Sequence, residues 1–255
     1  MSGSTARGRL IRRRIRITGW TALSSLLVTV VGFLVYFHIV FPADRERTLE
    51  VYRDDSLTIS QVEGSIVMNP SGETPTRGIL FFPGARVDPY SYLYPLSSLA
   101  SGGTTVVIMD PLMNMALFDQ RPLSELISPA PSVTQWTLAG HSLGGVRACM
   151  LADDPTVSGL ILFASFCANN LGSAQLDVLL LQGDQDGLID TAAVSDSLAL
   201  LPTDRFDMTT IAGANHADFG TYGVQPGDGD SVLSDEEMRV TLTTLIESWW
   251  EDRQD

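Results

Sequence analysis

The sequence predicts an α/β domain with a doubly wound, mostly parallel sheet that follows one N-terminal transmembrane helix. Apolar, β-branched runs alternate with helix-like stretches along most of the 255 residues, as in parallel sheets with helices on both faces. Several runs are continuously hydrophobic, which is typical of strands covered on both sides. A composition of 44% hydrophobic residues is sufficient for one large core.

The first 41 residues predict a basic cytoplasmic head, 1–18, and a membrane anchor, 19–41. Six of the 16 arginines precede Gly19, and no acidic residue precedes Asp44. The run "GWTALSSLLVTVVGFLVYFHIVF" is long enough to cross a hydrocarbon core of roughly 30 Å. A cleaved signal peptide is the alternative, but the run exceeds the usual apolar region and "VFPADRE" offers no small-x-small cleavage site. We therefore expect a single-pass protein of the cell membrane.

Charge predicts the topology and excludes one class of partner. The positive-inside rule keeps the basic head in the cytoplasm and places the domain outside, with His38 near the interface at the exit end. The rest of the chain carries ten arginines against 30 acidic residues, a formal net charge of −20. Such a surface repels phosphate backbones, so no nucleic-acid partner is expected. Cys149 and Cys167 both lie in buried-type segments, and the sequence leaves open whether they are free or bridged.

The chain order of elements predicts where ligands bind. Residues 42–62 are interpreted as a linker and first strand, "LEVYRDD" at 49–55, and residues 63–255 as the domain. The further predicted strands are 64–70, 78–84, 104–110, 135–140, 159–165, 177–183 and 206–213, and the predicted helices are 89–101, 143–154, 190–201 and 234–250. Ser234 and Glu237 form a capping box before the last helix. Ligands in such sheets bind beyond the carboxyl ends of the strands.

Ser142 is the candidate nucleophile. It lies in Gly-x-Ser-x-Gly, directly after the strand "QWTLAG" and directly before a helix beginning near Leu143. Flanking glycines permit the sharp strand-to-helix turn that exposes a nucleophilic serine. An ordinary glycine-rich turn has the same local pattern, so partners must decide between the two, because a serine hydroxyl needs a base.

His216 is the candidate base and Asp186 the candidate acid. Of the three histidines, His38 is in the membrane segment and His141 is next to Ser142, where its side chain would point away from the site. His216 follows the last predicted strand and so emerges at the same edge as Ser142. The loop "GDQDGLID" offers Asp184, Asp186 and Asp190 as the carboxylate that fixes the histidine tautomer. Asp190 is suited to cap the next helix, and Asp186 is the best placed.

Two backbone amides are predicted to bind the oxyanion. The Leu143 N–H lies at a helix N-terminus immediately after the nucleophile. The second donor is expected in "PGARVDP", after the strand "GILFFPG", and we assign it to Ala85. An ordinary turn is the alternative there.

The chain resembles the α/β-hydrolase superfamily, in particular the small hydrolases of α/β-hydrolase family five. The resemblance rests on "FFPGARVDPYSY", "GHSLGG", "GLILFAS", "GDQDGL", "LPTD" and "GANHADFGTYGVQPGDG", within residues 78–230. It implies a Ser-His-Asp hydrolase with Ser142 as nucleophile, Asp186 as acid and His216 as base, and this chain order is the order of that fold. Ala85 and Asp218 depart from it, since glycine and an amide are common there.

The connection between strands 159–165 and 177–183 is too short for a lid, which favours small or accessible esters. Asp228, Asp230 and Asp235 lack the full spacing of a calcium loop, so we expect a solvated loop, no metal and no cofactor. The sequence thus predicts a membrane-anchored serine hydrolase acting on a small-molecule acyl substrate. The alternatives are a non-catalytic binding domain of the same fold, or a thioesterase, peptidase or acyltransferase that uses the same site.

Overall fold

The computed structural model describes residues 3–253 and divides the chain into two compact units, Met1–Ile39 and Val40–Asp255. The first unit contains helix α1, Gly3–His38. By length and composition its segment Arg7–His38 is a helix able to cross a membrane, a property that a signal sequence near an N-terminus shares.

The second unit carries the remaining helices and strands. Its helices are α2 (Arg45–Tyr52), α3 (Leu93–Ser101), α4 (Leu123–Leu126), α5 (Leu143–Leu151), α6 (Thr191–Leu198) and α7 (Asp235–Glu251). Its strands are β1 (Leu57–Val62), β2 (Ser65–Pro70), β3 (Arg77–Phe82), β4 (Thr105–Met109), β5 (Gln135–His141), β6 (Val157–Phe163), β7 (Asp177–Gly183) and β8 (Phe206–Ile211). Short 3₁₀ turns occur at Pro89–Tyr92, Leu112–Asn114, Ala116–Phe118 and Ala217–Phe219.

The eight strands form one sheet in the order β1-β2-β4-β3-β5-β6-β7-β8. The pairs β1–β2 and β2–β4 are antiparallel, and every pair from β4–β3 to β7–β8 is parallel. The predicted fold class is therefore confirmed. Because β4 lies on one side of β3 and β5 on the other, the chain reverses direction across the sheet between β3 and β5. The crevice at such a switch point is where open α/β sheets bind ligands.

A hydrophobic core covers each face of the sheet. One core packs α2, α3 and α7 against the sheet through residues such as Val51, Leu96 and Leu242. The other packs α4, α5 and α6 through Leu126, Ala148 and Val194. The central strands β4, β5 and β6 are buried almost throughout, which is why their sequences lack the alternation of half-exposed strands.

The strand predicted at 49–55 is wrong, because residues 45–52 form helix α2. Asp44 caps this helix by accepting a hydrogen bond from the Arg47 N–H at 2.9 Å. Arg47 also pairs with Glu50 at 3.1 Å, one turn later, and Val51 is buried in the core. Capping and tertiary burial thus override the local strand preference of a β-branched and aromatic stretch. The first strand is β1, and it lies at the edge of the sheet.

Cys149 and Cys167 form a disulfide, with Cα atoms 5.4 Å apart. Cys149 lies on α5, the helix that follows Ser142, and Cys167 lies in the segment after β6. The bridge therefore ties the helix behind the candidate nucleophile to the neighbouring connection. Residues 164–176, all described, contain neither helix nor strand, which agrees with the predicted absence of a lid.

Removing the disulfide in a Cys149→Ala/Cys167→Ala variant is expected to destabilise the folded domain by about 3 kcal/mol, because the unfolded chain loses a cross-link. For a domain of this size, the melting temperature should fall by roughly 6–12 °C. Differential scanning fluorimetry of the full chain in detergent measures this change. Dithiothreitol should lower the melting temperature of the wild type and leave that of the double variant unchanged. Free thiols in the untreated wild type would contradict the bridge.

Candidate active site

Ser142 lies at a strained turn between β5 and α5. Its backbone has φ 52° and ψ −127° and forms the N-cap of α5. A non-glycine residue in this region costs on the order of 1–3 kcal/mol and persists only when the surroundings fix it. Here the Ser142 N–H donates to the Phe163 carbonyl at 3.0 Å, and the Ser165 hydroxyl donates to the Ser142 carbonyl at 2.6 Å. Strand β6 and the residues after it therefore hold the turn.

The glycines around Ser142 are required by close backbone approach. A Cβ atom on Gly144 would lie 2.1 Å from the Phe82 carbonyl oxygen, and one on Gly140 would lie 2.5 Å from the Gly144 carbonyl carbon. The start of α5 is thus packed directly against the end of β3. This contact brings the Leu143 amide toward the loop that contains Ala85. The glycines of the Gly-x-Ser-x-Gly pattern are therefore needed here for close backbone packing between β5, α5 and the end of β3, and not only for the turn itself.

His216 and Asp186 form a buried pair at the same edge of the sheet. Asp186 follows β7 and His216 follows β8, and His216 Nδ1 lies 2.8 Å from Asp186 Oδ2. Their side chains are 4% and 0% exposed. The other carboxylate oxygen, Oδ1, accepts hydrogen bonds from the Leu188 and Ile189 amides, each at 2.8 Å. The carboxylate is therefore oriented from one side by its own loop and on the other side faces the histidine.

This environment keeps Asp186 ionised. Burial by itself raises the Asp186 pKa, but the hydrogen bond and charge of His216 and the two amides outweigh burial and hold the pKa below its usual range. An ionised carboxylate only accepts, so Nδ1 of His216 carries the proton of the neutral ring. Nε2 is then the acceptor, which is the tautomer that a general base requires.

The predicted oxyanion donors, Ala85 and Leu143, lie in the loop after β3 and at the first position of α5. Within residues 3–253 neither backbone N–H donates to a protein acceptor. Both amides are thus available to a ligand at the switch point of the sheet. Ala85 is half-buried and Leu143 is exposed at the surface.

The structure brings Asp186 and His216 into contact but does not join Ser142 to His216. In the described part of the chain, the Ser142 hydroxyl makes no hydrogen bond, although Ser142 adjoins His141, whose ring centroid lies 4.6 Å from that of His216. Catalytic hydrogen bonds are often long without substrate. Of the alternatives to Asp186, Asp190 caps α6 through the Ala192 and Ala193 amides, and Asp184 accepts from the Gly213 amide at 2.7 Å.

Asp228 differs from the solvated residue that the sequence predicts. Its half-buried carboxylate accepts hydrogen bonds from the amides of Gly187 (3.1 Å), His216 (3.2 Å), Ala217 (2.9 Å) and Gly229 (2.9 Å). It therefore joins the loop of the candidate acid to the loop of the candidate base. Its glycine-flanked position was visible in the sequence, but its partners lie up to 41 residues away. No group of three or more His, Cys, Asp or Glu side chains that could hold a metal occurs among the residues described.

Asp218 is a half-buried carboxylate two residues after His216. Its Oδ2 accepts a hydrogen bond from the Asn215 N–H at 2.8 Å. Burial raises the pKa of Asp218, and the negative charge of Asp228 raises it further, while hydrogen bonds from Ser231 and Asn215 oppose the shift. The folded state therefore binds a proton at Asp218 more tightly than the unfolded state does.

Asp218→Asn is expected to stabilise the folded protein at pH 8 and to have less effect at pH 4. Because its folded pKa is raised, the contribution of Asp218 to stability is greatest below its unfolded pKa of about 4 and falls as the pH rises through the folded pKa. The asparagine oxygen can still accept from the Asn215 amide. Urea unfolding at both pH values measures the effect, with exposed Asp230→Asn as the matched control. Equal effects at both pH values would contradict the assigned environment.

The fold and the position of this site at its switch point place the protein in the class of α/β hydrolase folds. A family model described as the alpha/beta hydrolase family matches residues 78–240, more than half of the chain. The chain belongs to this family, as the sequence motifs predicted. No curated protein matches the sequence closely enough to count as a relative.

Solved structures support the same fold. A dienelactone hydrolase-like promiscuous phosphotriesterase from metagenomic libraries is 16% identical, with a TM-score of 0.55 over 76% of this chain and 99% of that one. A dienelactone hydrolase from Anabaena variabilis is 17% identical, with a TM-score of 0.52 over 77% and 98% of the two chains. A thermophilic esterase from the planctomycete Thermogutta terrifontis is 12% identical, with a TM-score of 0.51 over 78% and 95%. At these identities the likeness extends to the fold alone.

Proposed function

We propose that the protein is a membrane-anchored serine hydrolase that cleaves an ester-type acyl bond. The observation that carries this proposal is the buried pair of His216 Nδ1 and Asp186 Oδ2, 2.8 Å apart, at the sheet edge where Ser142 occupies its strained turn. An ionised acid, a histidine in the base tautomer and a strained serine are the parts that nucleophilic acyl transfer requires. A binding domain of the same fold has no need of this combination.

In this mechanism Ser142 Oγ attacks the acyl carbonyl while His216 Nε2 takes the hydroxyl proton. The Leu143 and Ala85 amides stabilise the resulting oxyanion. Collapse of the tetrahedral intermediate breaks the ester bond, and the alcohol leaves with the proton from His216. His216 Nε2 then takes a proton from a water molecule as the water attacks the acyl-enzyme. The second tetrahedral intermediate collapses, the carboxylic acid leaves, and Ser142 Oγ regains its proton from His216. Asp186 stays ionised and stabilises the imidazolium formed in each half-reaction.

Fluorophosphonate labelling of the full chain in detergent tests the nucleophile. The probe should modify Ser142 stoichiometrically, as located by peptide mass spectrometry. An unlabelled protein with a native circular dichroism spectrum would overturn the proposal in favour of a non-catalytic domain. A panel of p-nitrophenyl esters, thioesters and peptides then separates an esterase from a thioesterase or peptidase, because these enzymes share the site and differ in the bond cleaved.

We further propose that α1 is an uncleaved anchor, with its basic end in the cytoplasm and the second unit outside the cell membrane. The arginine-rich start of the chain supports this orientation. The Cys149–Cys167 disulfide supports it independently, because such bonds persist in oxidising compartments. External protease should digest the second unit in intact cells. Digestion that occurs only after lysis would reverse the orientation, and a mature N-terminus beyond residue 38 would indicate a cleaved signal.

A further inference from the structure

His141 is a buried histidine that the proposed chemistry does not use. The sequence predicted that its side chain points away from the site, yet its ring lies between two loops of the site. His141 Nδ1 is 2.9 Å from the Tyr92 hydroxyl, and Nε2 is 3.0 Å from the His216 carbonyl oxygen. Tyr92 Oη also accepts a hydrogen bond from the Gly84 N–H at 2.9 Å. Tyr92, His141 and His216 are each at least 97% buried.

These three contacts form a hydrogen-bond chain from Gly84 through Tyr92 and His141 to His216, and its protons have one consistent arrangement. The His216 carbonyl can only accept, so Nε2 of His141 must carry the proton. Burial lowers the pKa of His141 well below its usual range, and the neighbouring His216 lowers it further, so the ring is neutral and Nδ1 is an acceptor. The Tyr92 hydroxyl therefore donates to Nδ1 and is left to accept from Gly84. Each donor has one acceptor, and the three bonds run in one direction from Gly84 to His216.

The hydrogen-bond chain ends at the proposed oxyanion loop and at the proposed base, and the distance between these two parts sets the geometry of acyl transfer. Gly84 directly precedes Ala85, whose amide is the proposed oxyanion donor. The His216 carbonyl belongs to the proposed base, and His141 is joined by a peptide bond to Ser142. The hydrogen bonds thus connect the loops after β3 and β8 with the carboxyl end of β5, although His141 and His216 are 75 residues apart. Loss of one partner leaves a buried polar group unsatisfied, and the free-energy cost of that group favours a rearrangement of the loops it joins.

We propose that Tyr92 and His141 are positioning residues that hold the oxyanion loop at Gly84–Ala85 in register with the backbone of His216. This inference rests on the proposed hydrolase function and adds two residues to it that touch neither substrate nor reacting atoms. A displacement of about 1 Å at a reacting centre can cost on the order of 100-fold in rate. Weakening the hydrogen-bond chain should therefore lower the rate of acyl transfer more than the affinity for substrate.

Tyr92→Phe tests the hydrogen-bond chain by removing a single oxygen atom, the Tyr92 hydroxyl. We expect kcat for p-nitrophenyl acetate to fall roughly 10- to 100-fold with KM changed less than about threefold, because binding contacts are kept while oxyanion and base geometry loosen. The rate constant for fluorophosphonate labelling of Ser142 should fall by a similar factor. The matched control is Tyr90→Phe, which removes a hydroxyl that accepts a hydrogen bond from Gln61 at the surface. Wild-type labelling and turnover in a folded Tyr92→Phe protein would overturn the proposal.

His141 variants show whether the two residues act as one unit. His141→Gln places an amide N–H near the Nε2 position and should retain more activity than His141→Leu, which has no polar atom. In the His141→Leu background, Tyr92→Phe should cost less than about twofold, because the chain is already broken. Independent, multiplicative losses would contradict the proposal. If the Leu variant does not fold, His141→Ala, which also removes both ring nitrogens, replaces it in the same comparison.

The outcome for the wild type separates this inference from the proposed function. Labelling of wild-type Ser142 with unchanged rates in the variants refutes the positioning role and leaves the hydrolase intact. An unlabelled wild type refutes the hydrolase and, with it, the role of Tyr92 and His141 in acyl transfer.

Discussion

Ser142→Ala is expected to lower kcat for ester hydrolysis by about 10⁶-fold, because loss of the nucleophile removes the acyl-enzyme route. Residual hydrolysis of about 10³- to 10⁴-fold over water would come from the oxyanion amides and from binding alone. Steady-state hydrolysis of p-nitrophenyl acetate by the full chain in detergent measures the loss. Fluorophosphonate labelling should disappear together with turnover.

Ser158→Ala is the matched control, since Ser158 is exposed on β6 and its hydroxyl donates a hydrogen bond to the Trp136 carbonyl at 3.3 Å, away from the candidate site. It should retain wild-type turnover. A Ser142→Ala protein that keeps more than a few per cent of the wild-type rate would show that another group attacks the substrate. Ser142→Gly adds a test of the strained turn. It should be as inactive as the alanine variant but more stable, because glycine adopts a φ of 52° without steric cost.

The parallel core of the fold was predictable because its strands carry their signal locally. Strands β3 to β7 are buried on both faces, so their continuous apolar runs identify them without any tertiary information. The edge of the sheet was harder. Helix α2 depends on the Asp44 cap and on burial of Val51, and the position of β4 between β2 and β3 depends on a crossover. Neither is encoded in a short window of sequence.

The candidate site divides in the same way. Ser142, Asp186 and His216 could be selected because few residue types perform acyl transfer and the chain offers few histidines. The contact between Asp186 and His216 agrees with that selection, while the catalytic roles remain predictions. Asp228 and His141 act through bonds to backbone groups 41 and 75 residues away. Their sequence surroundings mark them as a loop aspartate and a core histidine, and only the fold gives them these partners.

Asp186→Asn is expected to lower kcat by about 10⁴-fold with little change in fold. The Leu188 and Ile189 amides require an acceptor at Oδ1, so the asparagine carbonyl oxygen takes that position and its NH₂ group faces His216. Nδ1 must then accept, and the ring proton moves to Nε2, where it blocks proton transfer from Ser142. Stopped-flow and steady-state ester hydrolysis measure the loss, and histidine ¹⁵N shifts report the tautomer.

Asp190→Asn and Asp184→Asn distinguish this effect from a general loss of charge near the site. Asparagine caps a helix as well as aspartate does, so Asp190→Asn should keep the N-cap of α6 and full turnover. A large loss in either control, with activity in Asp186→Asn, would reassign the acid.

The pH dependence of stability gives an independent test of the Asp186 environment. Because the folded pKa of Asp186 is lowered, the stability that its charge contributes is present above the unfolded pKa of about 4 and is lost as the pH falls through the folded pKa. The difference in unfolding free energy between wild type and Asp186→Asn should therefore be largest near neutral pH and shrink below about pH 4, whereas a carboxylate that did not pair with His216 would show no such window.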